Sequence, residues 1–158
     1  MEHDHSRSAA GTCSFRLMPF DRLVEGPSQV ALQSIGPSAV SVTYTWNHPD
    51  DGPQHGGLLI GAPDDDGTVE AAWFDTWHHQ PALMRLHGTH TDAGISLSGT
   101  YAEEWGWLIA LDLSADGAAP SGMTMSNVIP ESALATAPPD SPPVTAGPYE
   151  VMVAAWSS

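Results

Sequence analysis

The residue types able to do chemistry crowd into one stretch, Trp73-Phe74-Asp75-Thr76-Trp77-His78-His79. In extended backbone the side chains alternate faces, so Trp73, Asp75, Trp77 and His79 share one side. Phe74, Thr76 and His78 take the other. Val69 and Ala71 lie on the Trp73 face and Glu70 on the opposite one, which points Asp75 inward among indole rings. A carboxyl group in such surroundings keeps its proton unless a cation or several donors hold it, and it can then act as general acid or base. His78 stands just before Pro81, where a bulge or turn brings it inward beside Asp75. An imidazole next to a carboxylate suits proton transfer near neutral pH. Asp75 and His78 are therefore the candidate catalytic pair. The competing reading is structural, with Asp75 tied to backbone N–H groups at a bulge and His78 capping a strand end.

Around this pair, Trp46, Trp73, Trp77, Tyr101, Trp105, Trp107 and Asn127 are the candidate substrate-binding residues. So many indoles in one chain either pack as a core or line a pocket for an apolar or aromatic ligand. Other chemistries find less support. His87 and His90 oppose each other in parity, and Arg85 shares the His87 face as a mate for one of the acids. Zinc needs three or four converging ligands, and the ordered part offers neither an H-x-H nor an H-x₃-H spacing. His3 and His5 form an H-x-H pair in a polar N-terminal stretch. Cys13 precedes the first expected strand without a neighbouring base, no G-x-S-x-G elbow occurs, and no Gly-rich phosphate loop precedes a helix. No metal and no cofactor are expected.

The elements that must carry these residues read as short strands. Residues 1–13 are small and polar and read as a flexible tail, with a single domain over 14–158. Asp21 to Glu25 allows one helical turn before the breaker Gly26-Pro27. Strands follow at Ser28–Ile35, Val40–Trp46, Gly57–Ala62, Val69–Trp77, Leu83–His90, Ile95–Tyr101, Trp105–Leu113, Met123–Ile129 and Tyr149–Trp156, most with period-two alternation. Asp116-Gly117 marks a hairpin turn, and the proline-rich run from Glu131 to Pro148 reads as a surface loop. About ten sequential antiparallel strands stack as a sandwich or close into an up-and-down barrel. Closure removes sheet edges and leaves room for an internal pocket, so a barrel is the expected fold class.

Composition narrows the partners. The 158 residues carry a formal net charge of −15, from 19 acids against 4 Arg and no Lys. Phosphate backbones and anionic membrane surfaces are repelled by such a field, and a neutral or cationic ligand is tolerated better than a polyanion. No apolar run approaches the ~18 residues of a spanning helix, and the start lacks the pattern of a signal peptide, so a cytoplasmic location is expected. The single cysteine permits no intrachain disulfide, which fits that compartment. The Ala, Gly, Asp and Pro bias suggests a high-GC bacterial source.

Several motifs occur together in order: Tyr44-x-Trp46, Gly57-x-Leu59 with Gly61, Trp73-x-Asp75-Thr76-Trp77-His78, Gly99-Thr100-Tyr101, Trp105-Gly106-Trp107 and Met125-x-Asn127-Val128-x-Pro130. This set resembles the uncharacterised bacterial family known as domain of unknown function 1579, over about residues 14–156. The resemblance implies a calycin- or lipocalin-like barrel and carries no agreed activity. Two positions depart from the family pattern. Leu108 stands where an Arg follows Trp-Gly-Trp, and His78-His79 stands where a single His is usual.

The leading functional expectation is a barrel that binds a small apolar or aromatic molecule. It would act on that molecule without a cofactor, by a cyclisation or isomerisation of the kind found in bacterial secondary metabolism. A non-catalytic carrier of haem or a hydrophobic ligand is the alternative, with His78, His79, His87 and His90 as available ligands. A barrel filled with side chains and acting through its surface is the third. Monomer and homodimer both remain open.

Overall fold

Period-two alternation of apolar and polar residues along almost the whole chain dictates strands with one wet and one dry face, and the computed structural model has that form. It describes residues 6–113 and 118–158. The strands are β1 (Arg7–Phe15), β2 (Val24–Ile35), β3 (Ala39–His48), β4 (Gly52–Gly61) and β5 (Thr68–Asp75). They continue as β6 (His79–Thr91), β7 (Gly94–Tyr101), β8 (Trp105–Asp112), β9 (Gly122–Ile129) and β10 (Gly147–Ser157). One short helix, α1 (Glu131–Ala135), precedes β10. All ten strands form a closed antiparallel barrel, each paired with its sequence neighbours and β1 paired with β10. No helix among the described residues is long and apolar enough to cross a membrane.

The expected ten-stranded barrel is thus present, with corrected boundaries. Residues 7–13 are not a tail: they belong to β1, which pairs with β2 on one side and β10 on the other and closes the barrel. Ala9, Cys13 and Phe15 are its buried face. Gly11 completes the seam, because a Cβ there would sit 1.9 Å from the Ala155 carbonyl oxygen. No helical turn forms over 21–25; the chain is extended from Val24, and Gly26-Pro27 lies inside β2 opposite Cys13 and Thr12. Proline is accommodated there because pairing with β3 begins only at Gln29, leaving that side of β2 without a ladder. β5 stops at Asp75, two residues earlier than expected. Residues 76–78 form a turn, and Pro81 lies within β6 rather than ending a strand. The expected loop over 131–148 contains α1 and the start of β10. His3, His5 and the Asp116-Gly117 turn lie outside the described residues.

Antiparallel order gathers the connections after β1, β3, β5, β7 and β9 at one end of the barrel, called the mouth below. The interior is graded along its axis. Val42, Leu86, Met125 and Met152, each 0% exposed, fill the middle with aliphatic and thioether side chains. Aromatic rings take over toward the mouth, where Phe15, Trp46, Trp73 and Trp107 are buried. A small barrel is normally filled by its own side chains, so any ligand space must sit where the filling stops.

Candidate functional site

Asp75 is the last residue of β5 and is 0% exposed. Val69, Ala71 and Trp73 are buried with it, so the inward parity read from the sequence holds. A register shift between Trp73 and Asp75 bends the strand into the 76–78 turn, and that turn feeds two donors back to the side chain. The backbone N–H groups of Trp77 and His78 donate to Oδ1 at 2.9 and 3.0 Å. The Tyr44 hydroxyl and the Trp46 indole N–H donate to Oδ2 at 2.8 and 3.0 Å. Trp73 Nε1 in turn donates to the Tyr44 hydroxyl oxygen at 3.0 Å. A carboxylate has room for about four hydrogen bonds, and all four are filled.

Tyr44 reaches this position because Gly56 faces it across the β3–β4 ladder. A Cβ on Gly56 would lie 2.1 Å from the Tyr44 ring and hydroxyl. Burial first, and the nearby Asp75 charge second, push the Tyr44 hydroxyl well above its usual range, so it stays a donor. The same two causes push the buried Cys13 thiol up to about 12, which removes it as a nucleophile. Asp75 therefore braces the mouth. Contact with a substrate, as expected of an acid or base, is not the place its geometry gives it.

His78 occupies the turn that Asp75 holds. Its ring stacks on Trp46 at 5.2 Å and 21° and lies 5.2 Å from the Trp107 ring, while Nε2 sits 3.0 Å from Met152 Sδ. Burial lowers its pKa from 6.5 to about 4; the Asp75 charge opposes this shift, and His48 adds to it. The imidazole is thus neutral at physiological pH. The expected Asp75–His78 pairing runs through the His78 backbone N–H rather than between imidazole and carboxylate.

Above His78 the filling stops, leaving a cleft of about 200 Å³ at the mouth. Trp73 and Trp107 stack at 5.1 Å and 20° along one wall, and His79 continues the stack on Trp73 at 5.8 Å. Trp77 closes another side. Its indole N–H donates to Asp51 Oδ2 at 2.8 Å and its ring lies flat on His48 at 4.6 Å. A chain of polar groups borders the opening: the Tyr101 hydroxyl donates to Asn127 Oδ1 at 2.5 Å, and Asn127 Nδ2 donates to the Tyr149 hydroxyl at 3.2 Å. The Tyr149 hydroxyl then donates to the Leu17 carbonyl at 2.8 Å.

Five expected binding residues, Trp73, Trp77, Tyr101, Trp107 and Asn127, therefore line one cleft together with His78. Two do not. Trp46 is buried behind His78 and gives its N–H to Asp75, so it is backing rather than lining. Trp105, the first residue of β8, is half-buried against Tyr101 at 6.3 Å and lies outside the lining. Sequence reasoning missed Phe15, Arg16, Met84, Tyr149 and the brace residue Tyr44 as part of this assembly. The Tyr44-x-Trp46 alternation was the available signal, since it delivers both hydrogen-bonding tips to one face.

The remaining candidates disperse. His87 is exposed on the outer face and His90 lies toward the opposite end, while exposed Arg85 pairs with Glu70 at 2.7 Å. Among the described residues no group of three or more His, Cys, Asp or Glu side chains could hold a metal ion. An open groove of about 600 Å³ crosses the outside of β1 to β4, with His55 and Phe74 at its border. It is shallow and holds no buried polar group in need of a partner. No protein-family model matches this chain, and no curated protein matches it in sequence.

Proposed function

We propose that the protein binds a small, largely apolar molecule with a single aromatic ring in the mouth cleft. The observation that carries this reading is an aromatic cleft, with stacked Trp73 and Trp107 along one wall and neutral His78 beside them, on a frame that Asp75 fixes by four hydrogen bonds. Its size matches the ligand. An apolar cavity of ~150 Å³ admits benzene, whereas drug-sized ligands take ~300–1,000 Å³. Exposed Leu17, Met18 and Phe20 on the segment after β1 give an apolar approach to the opening. The up-and-down strand order supports a calycin-like assignment and, with the motifs quoted above, membership of the family the sequence resembles.

A cofactor-free proton transfer on the bound molecule is the second reading, and it rests on His78. That imidazole lines the cleft and is unprotonated at neutral pH, so it has a free lone pair to accept a proton, and burial makes it a weak base suited only to an acidic C–H or O–H on the bound molecule. Haem fits poorly. The cleft is small, and His78 Nε2 is turned onto Met152 Sδ.

Titration of the intrinsic tryptophan fluorescence with toluene, phenol and indole tests the binding reading. Saturable quenching at sub-millimolar concentration that disappears in Trp107→Ala is expected. Absence of any saturable change up to the solubility limit of all three probes would overturn it. If the protein is an enzyme, His78→Phe should still bind the ring and lose turnover.

A further inference from the structure

The cleft has a charge character opposite to that of the chain. Against a formal net charge of −15, no Asp or Glu among the described residues lines it, and Arg16 is the one charged side chain among the described residues that does. Arg16 follows β1 at the mouth. Its Nε donates to the Glu150 carbonyl at 2.7 Å and Nη1 donates to the Pro19 carbonyl at 2.9 Å. Both acceptors are neutral, and among the described residues Arg16 makes no ion pair. A guanidinium has five N–H donors, so donors and a full positive charge remain for a ligand. The two backbone bonds and the Tyr149 ring, 5.9 Å away, fix the side chain in place.

A second group asks for the same kind of partner. Trp107 lines the cleft, is only 5% exposed, and its Nε1 is buried with no hydrogen-bond partner among the described residues. Each of the neighbouring indoles has its acceptor: Trp46 on Asp75, Trp73 on Tyr44 and Trp77 on Asp51. A buried indole N–H left alone is costly in an interior that satisfies its other donors, and an acceptor oxygen on a ligand would relieve it.

We infer that the ligand of this cleft is a small aromatic carboxylate, its anionic oxygens facing Arg16 and the Trp107 N–H and its ring against the aromatic wall. The inference rests on the binding reading above and adds the charge. The global field disfavours anions at long range, but it is screened beyond roughly 8 Å at physiological salt, and the lining decides at contact.

Calorimetric titration with phenylacetate, its neutral isostere phenylacetamide and the cation phenethylamine tests this. Phenylacetate should bind at least tenfold more tightly than the amide, and the amine should bind most weakly. Arg16→Gln should bring phenylacetate down to the affinity of the amide while leaving the amide unchanged, and Arg16→Lys should restore part of the gap. Trp107→Phe, which keeps a ring and removes the N–H, should weaken phenylacetate severalfold. Equal affinity for acid and amide would overturn the carboxylate assignment and leave ring binding intact. Failure of all three compounds to bind, together with toluene, would overturn both.

Discussion

Replacing Asp75 with Asn isolates the brace, because it keeps shape and exchanges one acceptor for a donor. The amide can be placed in two ways. With Nδ2 toward Tyr44 and Trp46, the Trp46 N–H faces another donor. The Tyr44 O–H also loses its acceptor, since its oxygen is already committed to Trp73. With Nδ2 toward the turn, the Trp77 and His78 backbone N–H groups are orphaned instead. Either orientation strands two buried donors, at ~1–3 kcal/mol each, so the expected loss is about 2–6 kcal/mol. For a domain of this size that corresponds to a fall in Tm of roughly 5–20 °C. Urea unfolding followed by tryptophan fluorescence reads the free energy, and thermal unfolding by circular dichroism reads Tm. Asp51→Asn, which alters only the exposed Asp51 carboxylate and its contacts with Trp77 and His48, should stay within ~0.5 kcal/mol of the parent. A loss in Asp75→Asn no larger than that of the control would refute the four-bond brace.

Further outcomes follow from the neighbouring groups. The His78 pKa falls from 6.5 to about 4 on folding, so between those values the unfolded chain holds a proton that the folded chain does not. Stability should therefore be full above about pH 6.5 and decline as pH falls toward 4, by up to about 3 kcal/mol. His78→Phe should flatten the decline in urea titrations across that window. Gly56→Ala places a Cβ 2.1 Å from the Tyr44 ring, and should cost about 2–4 kcal/mol through overpacking and a broken Tyr44–Asp75 bond. Gly61→Ala on the same strand, whose Cβ would meet nothing closer than 3.5 Å, is the near-neutral comparison.

Strong alternation made the barrel legible. Val40 to Trp46, Ile95 to Tyr101 and Trp105 to Leu113 show it cleanly, and each strand falls close to its expected place. Where the buried face is built from small residues, as in Ala9-x-Gly11-x-Cys13, the same period carries little hydrophobic contrast and β1 reads as tail. Pro27 and Pro81 misled for a related reason. A proline ends a strand only where its missing N–H is needed, and ladder edges are not visible in sequence. The site was half legible. Parity placed Asp75 inward and aromatic spacing brought five cleft residues together, but the partners that decide Asp75's role come from β3 and from a turn. Three-dimensional register, not spacing, makes Tyr44 and Trp46 converge on it. Arg16 was illegible because nothing local distinguishes it from a solvated arginine.

The β1–β10 ladder has a kinetic meaning. Every other seam of the barrel joins strands adjacent in sequence, most of them through short loops and β9–β10 through the longer connection that carries α1. The last seam pairs Ala10 with Ser157 and Phe15 with Met152, so it links the two extremes of the chain. Loop-closure entropy grows only slowly with length, yet contacts of such long range set the pace of β-rich folding. A ten-stranded sheet in which that seam has not formed would be open, with two bare edges, one of them β1 with its small residues. That open sheet is the species most exposed to pairing with a second chain. A circular permutation joining the two ends at the pole opposite the mouth would make the same ladder a local hairpin and move the slow closure elsewhere in the barrel.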